Sequence, residues 1–85
     1  MQKKVVLYAL STCGWCKRTK KLLDENGIVY ECHDVDTLQG EERQRIMAEA
    51  ARWNPRSSFP TIVIDDGATV IVGYDEANIR EALGL

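Results

Sequence analysis

Apolar and polar residues follow one another along the chain in blocks that predict alternating strands and helices. Residues 5–10, "VVLYAL", form an unbroken apolar run rich in β-branched and aromatic types, which is typical of a strand buried on both faces. Residues 14–26 carry helix formers and end before Gly27, which suits the left-handed position after a helix. Residues 28–35, "IVYECHDV", predict a second, less apolar strand nearer the edge of a sheet.

The second half of the chain predicts a helix, a hairpin and a last helix. Residues 38–53 place apolar side chains at helical spacing between charges, and Asn54-Pro55 ends the pattern. "TIVID" and "ATVIV" flank Asp66-Gly67, a strong hairpin signal. Residues 75–83 predict a short helix opened by acidic residues. The order β-α-β-α-β-β-α predicts an α/β fold, in which the first two strands are parallel and the last two antiparallel.

Length and composition argue against several classes of protein, among them nucleic-acid-binding and membrane-spanning proteins. A chain of 85 residues predicts one domain, and a net charge of −2 gives no electrostatic reason for a nucleic-acid or membrane-surface partner. No segment approaches the ~20 apolar residues that a membrane span needs. The short apolar run after Lys3 and Lys4 leads into a cysteine motif without a small-residue cleavage site, so we interpret it as a strand. We therefore expect a cytoplasmic protein.

Cys13 and Cys16 lie where the first strand gives way to the first helix. The chain has three cysteines, and an odd count is untypical of a secreted disulfide scaffold. A structural zinc site needs four ligands, whereas the remaining candidates, Cys32 and His33, are neighbours on a strand and point to opposite faces. We therefore expect no metal, and we expect Cys32 to be a small buried hydrophobe.

Thiol–disulfide exchange is the chemistry that this pair favours. At a helix start Cys13 would lie among unpaired backbone N–H groups, which favour the reactive thiolate. Cys16 is one turn further on, and its side chain points back toward Cys13. One thiolate can then attack a substrate disulfide while the other resolves the mixed disulfide. The strand before the pair and the helix after it make the motif much more specific than the four residues alone.

Residues next to the cysteine pair are candidates for shifting the thiol pKa and for contacting a partner. Lys17 and Arg18 break the preference for acidic residues in a first helical turn, so we expect them either to lower the pKa of a nearby thiol or to form a solvated face. Trp15 is expected to be an exposed contact for a partner, the alternative being a ring folded onto the surface. Trp53 and Met47 are expected in the core.

The segments "VVLYALSTCGWCKRTKKLLDENGIVYECHDVD", "SFPTIVID" and "VGYDEANIREAL" together resemble a glutaredoxin of the thioredoxin fold over essentially the whole chain. The resemblance implies a thioredoxin-like four-stranded mixed sheet flanked by helices. It makes Cys13 the exposed nucleophile, Cys16 the buried resolving thiol and Phe59-Pro60 a cis-proline loop facing them, where Phe59 can pair with an extended substrate. We therefore expect a thiol–disulfide oxidoreductase, and the exchange itself needs no organic cofactor. We also expect the protein to be a monomer.

Departures from the family pattern leave the reductant open. Leu10 holds the place of a lysine that binds a glutathione carboxylate in many glutaredoxins, although Lys17 and Arg56 are candidate replacement cations. The usual Gly-Gly and Cys-Asp-Asp are replaced here by Gly73-Tyr74-Asp75, in which Asp75 is a candidate for an amino group. The Gly-Tyr pair is similar to glutaredoxin-like redoxins that serve ribonucleotide reductase and are reduced by thioredoxin reductase. Expected partners are therefore disulfide-containing proteins and either such a reductase or glutathione.

Two other functions compete with the oxidoreductase. Some glutaredoxins carry an iron–sulfur cluster between two subunits, held by the first cysteine and glutathione, and the "CGWC" motif resembles those of some cluster carriers. A resolving cysteine and an incomplete glutathione site argue against this alternative. A non-catalytic binding module is the third reading, against which both cysteines and Pro60 argue.

Overall fold

The computed structural model describes residues 3–85, and within them the predicted order of elements is confirmed. The single sheet has the strand order β2-β1-β3-β4, with β1 parallel to β2 and antiparallel to β3, and with β3 antiparallel to β4. The elements are β1 (Val5–Ala9), α1 (Gly14–Glu25), β2 (Glu31–Asp34), α2 (Gly40–Trp53), β3 (Thr61–Ile64), β4 (Thr69–Val72) and α3 (Glu76–Leu83).

The second strand and second helix are shorter than the sequence pattern predicts. Residues 28–30 do not belong to β2, because the segment after α1 still closes that helix. Gly27 N–H donates to the Asp24 carbonyl and Ile28 N–H to the Leu23 carbonyl, which satisfies the last turn. The second helix begins at Gly40 because Val35–Thr37 forms a separate 3₁₀ turn before it.

The predicted hairpin turn at Asp66-Gly67 is present as a tight left-handed turn over Asp65–Gly67. Its three residues all have positive φ, at 51°, 54° and 102°. The side of Gly67 where a Cβ would stand faces the ring of Trp53. Only glycine fits at this point, since both the conformation and the contact exclude a side chain.

The core consists of two clusters of buried side chains that share the central strands. Alternate residues of β1 enter different clusters, with Leu7 and Ala9 in the first and Tyr8 in the second, as the period of two in a strand requires. Met47 and Trp53 are only partly buried and pack against the second cluster. The expectation that Cys32 is buried is wrong, because β2 is an edge strand and exposes this side chain.

None of the helices within residues 3–85 combines the length and the hydrophobicity that a bilayer crossing needs.

Candidate active site

The two cysteines of the motif lie on the first turn of α1 in unlike surroundings. Cys13 is the N-cap residue, and its Sγ accepts the backbone N–H of Cys16 at 3.4 Å. Cys13 is partly exposed, whereas Cys16 is fully buried in the first core cluster. The backbone N–H of Leu10, at the end of the first strand's run, donates to the Cys16 Sγ at 3.4 Å. Both sulfurs are therefore held by backbone donors of the strand-to-helix turn.

These surroundings shift the pKa values of the two thiols in opposite directions. Hydrogen bonds from the backbone and side chain of Cys16, and from the backbone of Trp15, lower the pKa of Cys13. Burial raises the pKa of Cys16 to about 11, against the smaller effect of the Leu10 N–H. Near neutral pH Cys13 is the thiol that can ionise, while Cys16 keeps its proton. Lys17 and Arg18 are not among the groups that shift the pKa of Cys13.

The proline loop follows α2 in the chain and leads into β3. The Phe59-Pro60 peptide bond is cis, as predicted, and Pro60 is fully buried. The Gly73 N–H donates to the Pro60 carbonyl at 2.8 Å and ties the loop to the end of β4. The buried side chain of Asn54 donates to the Ser58 carbonyl and to Thr61 Oγ1, both at 3.1 Å. The loop is thus fixed on both sides of the proline.

Five of the predicted site residues line one groove beside the cysteines. The groove has a volume of about 270 Å³, and its walls are Trp15, Phe59, Pro60, Gly73 and Tyr74. Phe59 and Tyr74 also pack against the cluster that contains Cys16, and Cys13 packs there with them. A partner that reaches Cys13 therefore meets a groove next to the thiol that is walled by three aromatic residues and a proline.

Trp15 is exposed, and its ring is also packed on the surface of the domain. The expected exposure and the alternative of a folded-back ring are therefore both found. The residue is 56% exposed, while its ring stacks on Tyr74 with centroids 5.7 Å apart and planes inclined by 24°. The Arg18 guanidinium lies over the same ring, 5.2 Å from its centroid. The Tyr74 hydroxyl donates to Glu76 Oε1 at 3.1 Å, and Arg80 donates to the same carboxylate. Helix α3 thereby holds the aromatic wall in place.

The other predicted site residues lie outside the lining of this groove. Lys17 and Arg56 are exposed, and the Arg56 backbone N–H donates to Asn54 Oδ1. Asp75 is the N-cap of α3, where Oδ1 accepts the Asn78 N–H at 3.2 Å and Oδ2 accepts the Asn78 side-chain amide at 2.6 Å. Its carboxylate therefore already serves the helix start.

Ser11 and Asp36 form a contact that the sequence analysis does not foresee. Asp36 accepts the Ser11 N–H at 2.8 Å and the Ser11 hydroxyl at 2.6 Å, and these bonds lower the pKa of its carboxyl. The contact anchors the segment that leads into Cys13. A signal was available, because the carboxyl ends of parallel neighbours β1 and β2 meet at one edge, and Ser11 and Asp36 follow them.

Comparison with known proteins agrees with this geometry. Residues 5–68, which include the cysteine pair and the proline loop, match the family model described as glutaredoxin. The chain belongs to the glutaredoxin family. The crystal structure of Methanosarcina acetivorans methanoredoxin matches this one with a TM-score of 0.93 and 48% identity, covering 99% of this chain and 87% of that chain.

Two further relatives show how far this family likeness extends. The glutaredoxin of Methanosarcina mazei Go1 has a TM-score of 0.87 at 49% identity, over 96% of this chain and 79% of that one. Glutaredoxin 1 of Rickettsia prowazekii is 31% identical over 62 residues, which are 73% of this chain and 62% of that relative. The chain thus spans about six-tenths of the length of this relative.

Proposed function

We propose that this glutaredoxin-family chain is a dithiol thiol–disulfide oxidoreductase that reduces disulfides of proteins or small molecules. The observation that carries the proposal is the inequality of two thiols one helical turn apart. Cys13 is accessible and has a lowered pKa, whereas Cys16 is buried with a pKa raised to about 11. An attacking thiol must be ionised and reachable, and a resolving thiol must wait until the mixed disulfide has formed.

The proposed cycle uses these differences in order. The Cys13 thiolate attacks one sulfur of the substrate disulfide, forms a mixed disulfide and releases the first substrate thiol. Cys16 then loses its proton and attacks the Cys13 Sγ, which breaks the mixed disulfide and releases the second substrate thiol. The protein is left with a Cys13–Cys16 disulfide, and a reductant returns it to the dithiol. This exchange needs no organic cofactor, and the cytoplasm, where thiols are kept reduced, suits it.

The groove supports a role in holding the substrate during attack. An extended polypeptide can place a side chain between Trp15 and the proline loop and can pair its backbone with Phe59. Large rigid aromatic surfaces beside a reactive group are typical anchors in protein interfaces. Trp15, exposed yet fixed by its stack on Tyr74, has these properties.

Single-cysteine variants test the proposal directly. The exposed Cys32 is first changed to Ser, so that adducts on it do not confuse the result. In this background we expect Cys16→Ser to trap a mixed disulfide on Cys13 when incubated with a small disulfide, and Cys13→Ser to react poorly, as followed by mass spectrometry. Equal adduct formation on the two variants would contradict the attacking and resolving roles.

A further inference from the structure

A half-buried ion pair lies on the inner side of α1, next to the resolving cysteine. Lys20 Nζ is 2.7 Å from Asp34 Oδ1 on β2, and the two side chains are only 24% and 28% exposed. The adjacent pair on the same helix, Lys21 with Glu25, is 3.8 Å apart and largely exposed. Burial at a short distance distinguishes the first pair from an ordinary surface ion pair.

Helix geometry places Lys20 beside Cys16. The two residues are four apart in α1 and therefore lie on one face of the helix, one turn from each other. Side chains in a helix lean toward its N-terminus, so the Lys20 side chain runs back along the turn that carries Cys16. Asp34 holds the ammonium group on this side of the helix.

The resolving step requires a thiolate at Cys16, and a nearby cation such as Lys20 can stabilise it. Cys16 is fully buried, and its Sγ accepts a backbone N–H from Leu10. A buried thiol must become a thiolate before it attacks, and a low-polarity environment opposes that charge. A nearby positive charge is what favours the thiolate, and the Lys20 charge acts on Cys16 in that direction. Burial opposes the charge of Lys20 itself, yet the Asp34 hydrogen bond leaves the pKa of Lys20 raised, so the cation persists.

We propose that Lys20, held by Asp34, is a positioning residue that stabilises the Cys16 thiolate in the resolving step. The inference rests on the proposed function and adds a residue to it. In this step the Cys16 thiolate forms a bond to the Cys13 Sγ, the bond from Cys13 to the substrate sulfur breaks, and the substrate leaves as a thiolate that takes up a proton. Other titratable groups that face Cys16, Lys20 or Asp34 are Cys13, Tyr30, Cys32 and Asp36.

The direction in which loss of the Lys20 charge changes the rate of resolution follows from the protonation state of Cys16 near neutral pH. There the thiolate is the minor form, so its fraction and the rate of resolution rise with pH. Removal of the Lys20 charge raises the pKa of Cys16 further and lowers that fraction. For each unit by which the pKa of Cys16 rises, the thiolate fraction falls about tenfold, and the greater intrinsic reactivity of a more basic thiolate returns part of this. We expect a net slowing of about three- to tenfold at neutral pH and convergence with the unaltered protein at high pH.

The test separates attack from resolution in a single trace. Reduced protein carrying Cys32→Ser is mixed with one equivalent of the chromogenic disulfide dithiobis(nitrobenzoate) in a stopped-flow instrument. Attack by Cys13 releases one coloured thiolate, and resolution by Cys16 releases the other. The rates of both phases are recorded across pH for Lys20→Gln and Lys20→Met, for the conservative Lys20→Arg, and for the control Lys21→Gln.

The expected result is a slower second phase in both uncharged variants, with its pH profile moved upward and the first phase unchanged. Lys20→Arg should keep the normal profile, and Lys21→Gln should match the unaltered protein. Two uncharged replacements of different shape guard against a variant that fails to fold. An unshifted second phase in the folded uncharged variants, or an equal shift in Lys21→Gln, would overturn the role of Lys20. A protein that releases no colour in either phase would instead overturn the proposed function.

Discussion

The backbone N–H of Cys16 donates to the Sγ of Cys13 at 3.4 Å, so each cysteine contributes to the protonation state of the other. The donor stabilises the Cys13 thiolate, and the same turn of helix carries the Cys16 side chain into the core. The spacing of the two cysteines thus supplies both a more acidic thiol near the surface and a protonated thiol beneath it. The inequality follows from the helix start itself, because the backbone groups that bind Cys13 are those that a first turn leaves unpaired.

The first prediction concerns the pH dependence of alkylation. Because the pKa of Cys13 is lowered, its thiolate persists as the pH falls below the ordinary thiol value of about 8.5. The pKa of Cys16 is about 11, so this residue stays protonated until strongly alkaline pH. We expect Cys13 in the Cys16→Ser variant to react with iodoacetamide at pH values below about 8.5, and Cys16 in Cys13→Ser only far above that value. Mass spectrometry follows both, and an ordinary thiol midpoint for Cys13 would contradict the prediction.

The second prediction concerns the aromatic wall of the groove. Tyr74→Ala removes the ring on which Trp15 stacks, and such aromatic pairs are worth about 0.5–1.5 kcal/mol beyond area burial. We expect kcat/KM for a protein disulfide to fall roughly two- to tenfold, with little change for a small disulfide that does not span the groove. Tyr74→Phe keeps the ring and loses only the exposed bond to Glu76, so it should resemble the unaltered protein. Equal losses in the two variants would assign the effect to the hydroxyl instead.

What the sequence predicts well here is local. The apolar run 5–10, the cysteine spacing and the Asp66-Gly67 turn each specify their own structure within a few residues, and each is found where the pattern places it. The cis bond at Phe59-Pro60 is different, because its expectation rests on the resemblance to glutaredoxins and not on the local sequence. The cysteine pair and its helix were therefore predictable, and the proposed thiol–disulfide chemistry rests on them.

What the sequence does not predict depends on contacts between distant residues. Lys20 and Asp34 are 14 positions apart, and no local spacing brings them together. Ser11 and Asp36 are 25 apart, and only the parallel pairing of β1 with β2 indicates that they lie close. The exposure of Cys32 likewise depends on tertiary packing, because elements distant in the sequence decide whether a side chain on a face of the edge strand β2 is covered. Trp15 shows the same limit, since its partner Tyr74 comes from the far end of the chain.

The third prediction concerns stability at the hairpin. A Cβ at Gly67 would overlap ring atoms of Trp53. The residue also has a backbone φ of 102°, which residues other than glycine rarely adopt. We expect Gly67→Ala to lower the free energy of unfolding by about 1–3 kcal/mol through overpacking and backbone strain. Gly14→Ala is the matched control, because a Cβ there meets nothing within 4 Å and the residue lies in a helix. Denaturant unfolding measures both, and equal stabilities would show that the turn relaxes without cost.

The last prediction concerns the reductant. A glutathione site needs placed cations for two carboxylates, and Leu10 supplies none, since its side chain packs against the second core cluster while its N–H binds Cys16. Loss of one charged hydrogen bond costs about 1.5–3 kcal/mol, or roughly one to two decades of affinity. Arg56 and Lys17 are exposed and lie outside the groove lining, so they replace that contact only in part. We therefore expect slow reduction by glutathione and faster reduction by a protein of the thioredoxin-reductase type that docks on Trp15 and the proline loop.

The measurement compares the rate at which each donor reduces the oxidised protein at matched catalyst concentration. Leu10→Lys should raise the rate with glutathione, because the long side chain can carry its ammonium group out of the partly buried site to a carboxylate. Leu10→Met is the matched control, since methionine has an unbranched side chain, as lysine has, but carries no charge. It should leave the rate of reduction by glutathione low. Rapid and saturable reduction of the unaltered protein by glutathione, abolished by Arg56→Ala, would show instead that Arg56 completes an ordinary glutathione site. Under that outcome the lysine at position 10 would add little, because the carboxylate would already be bound.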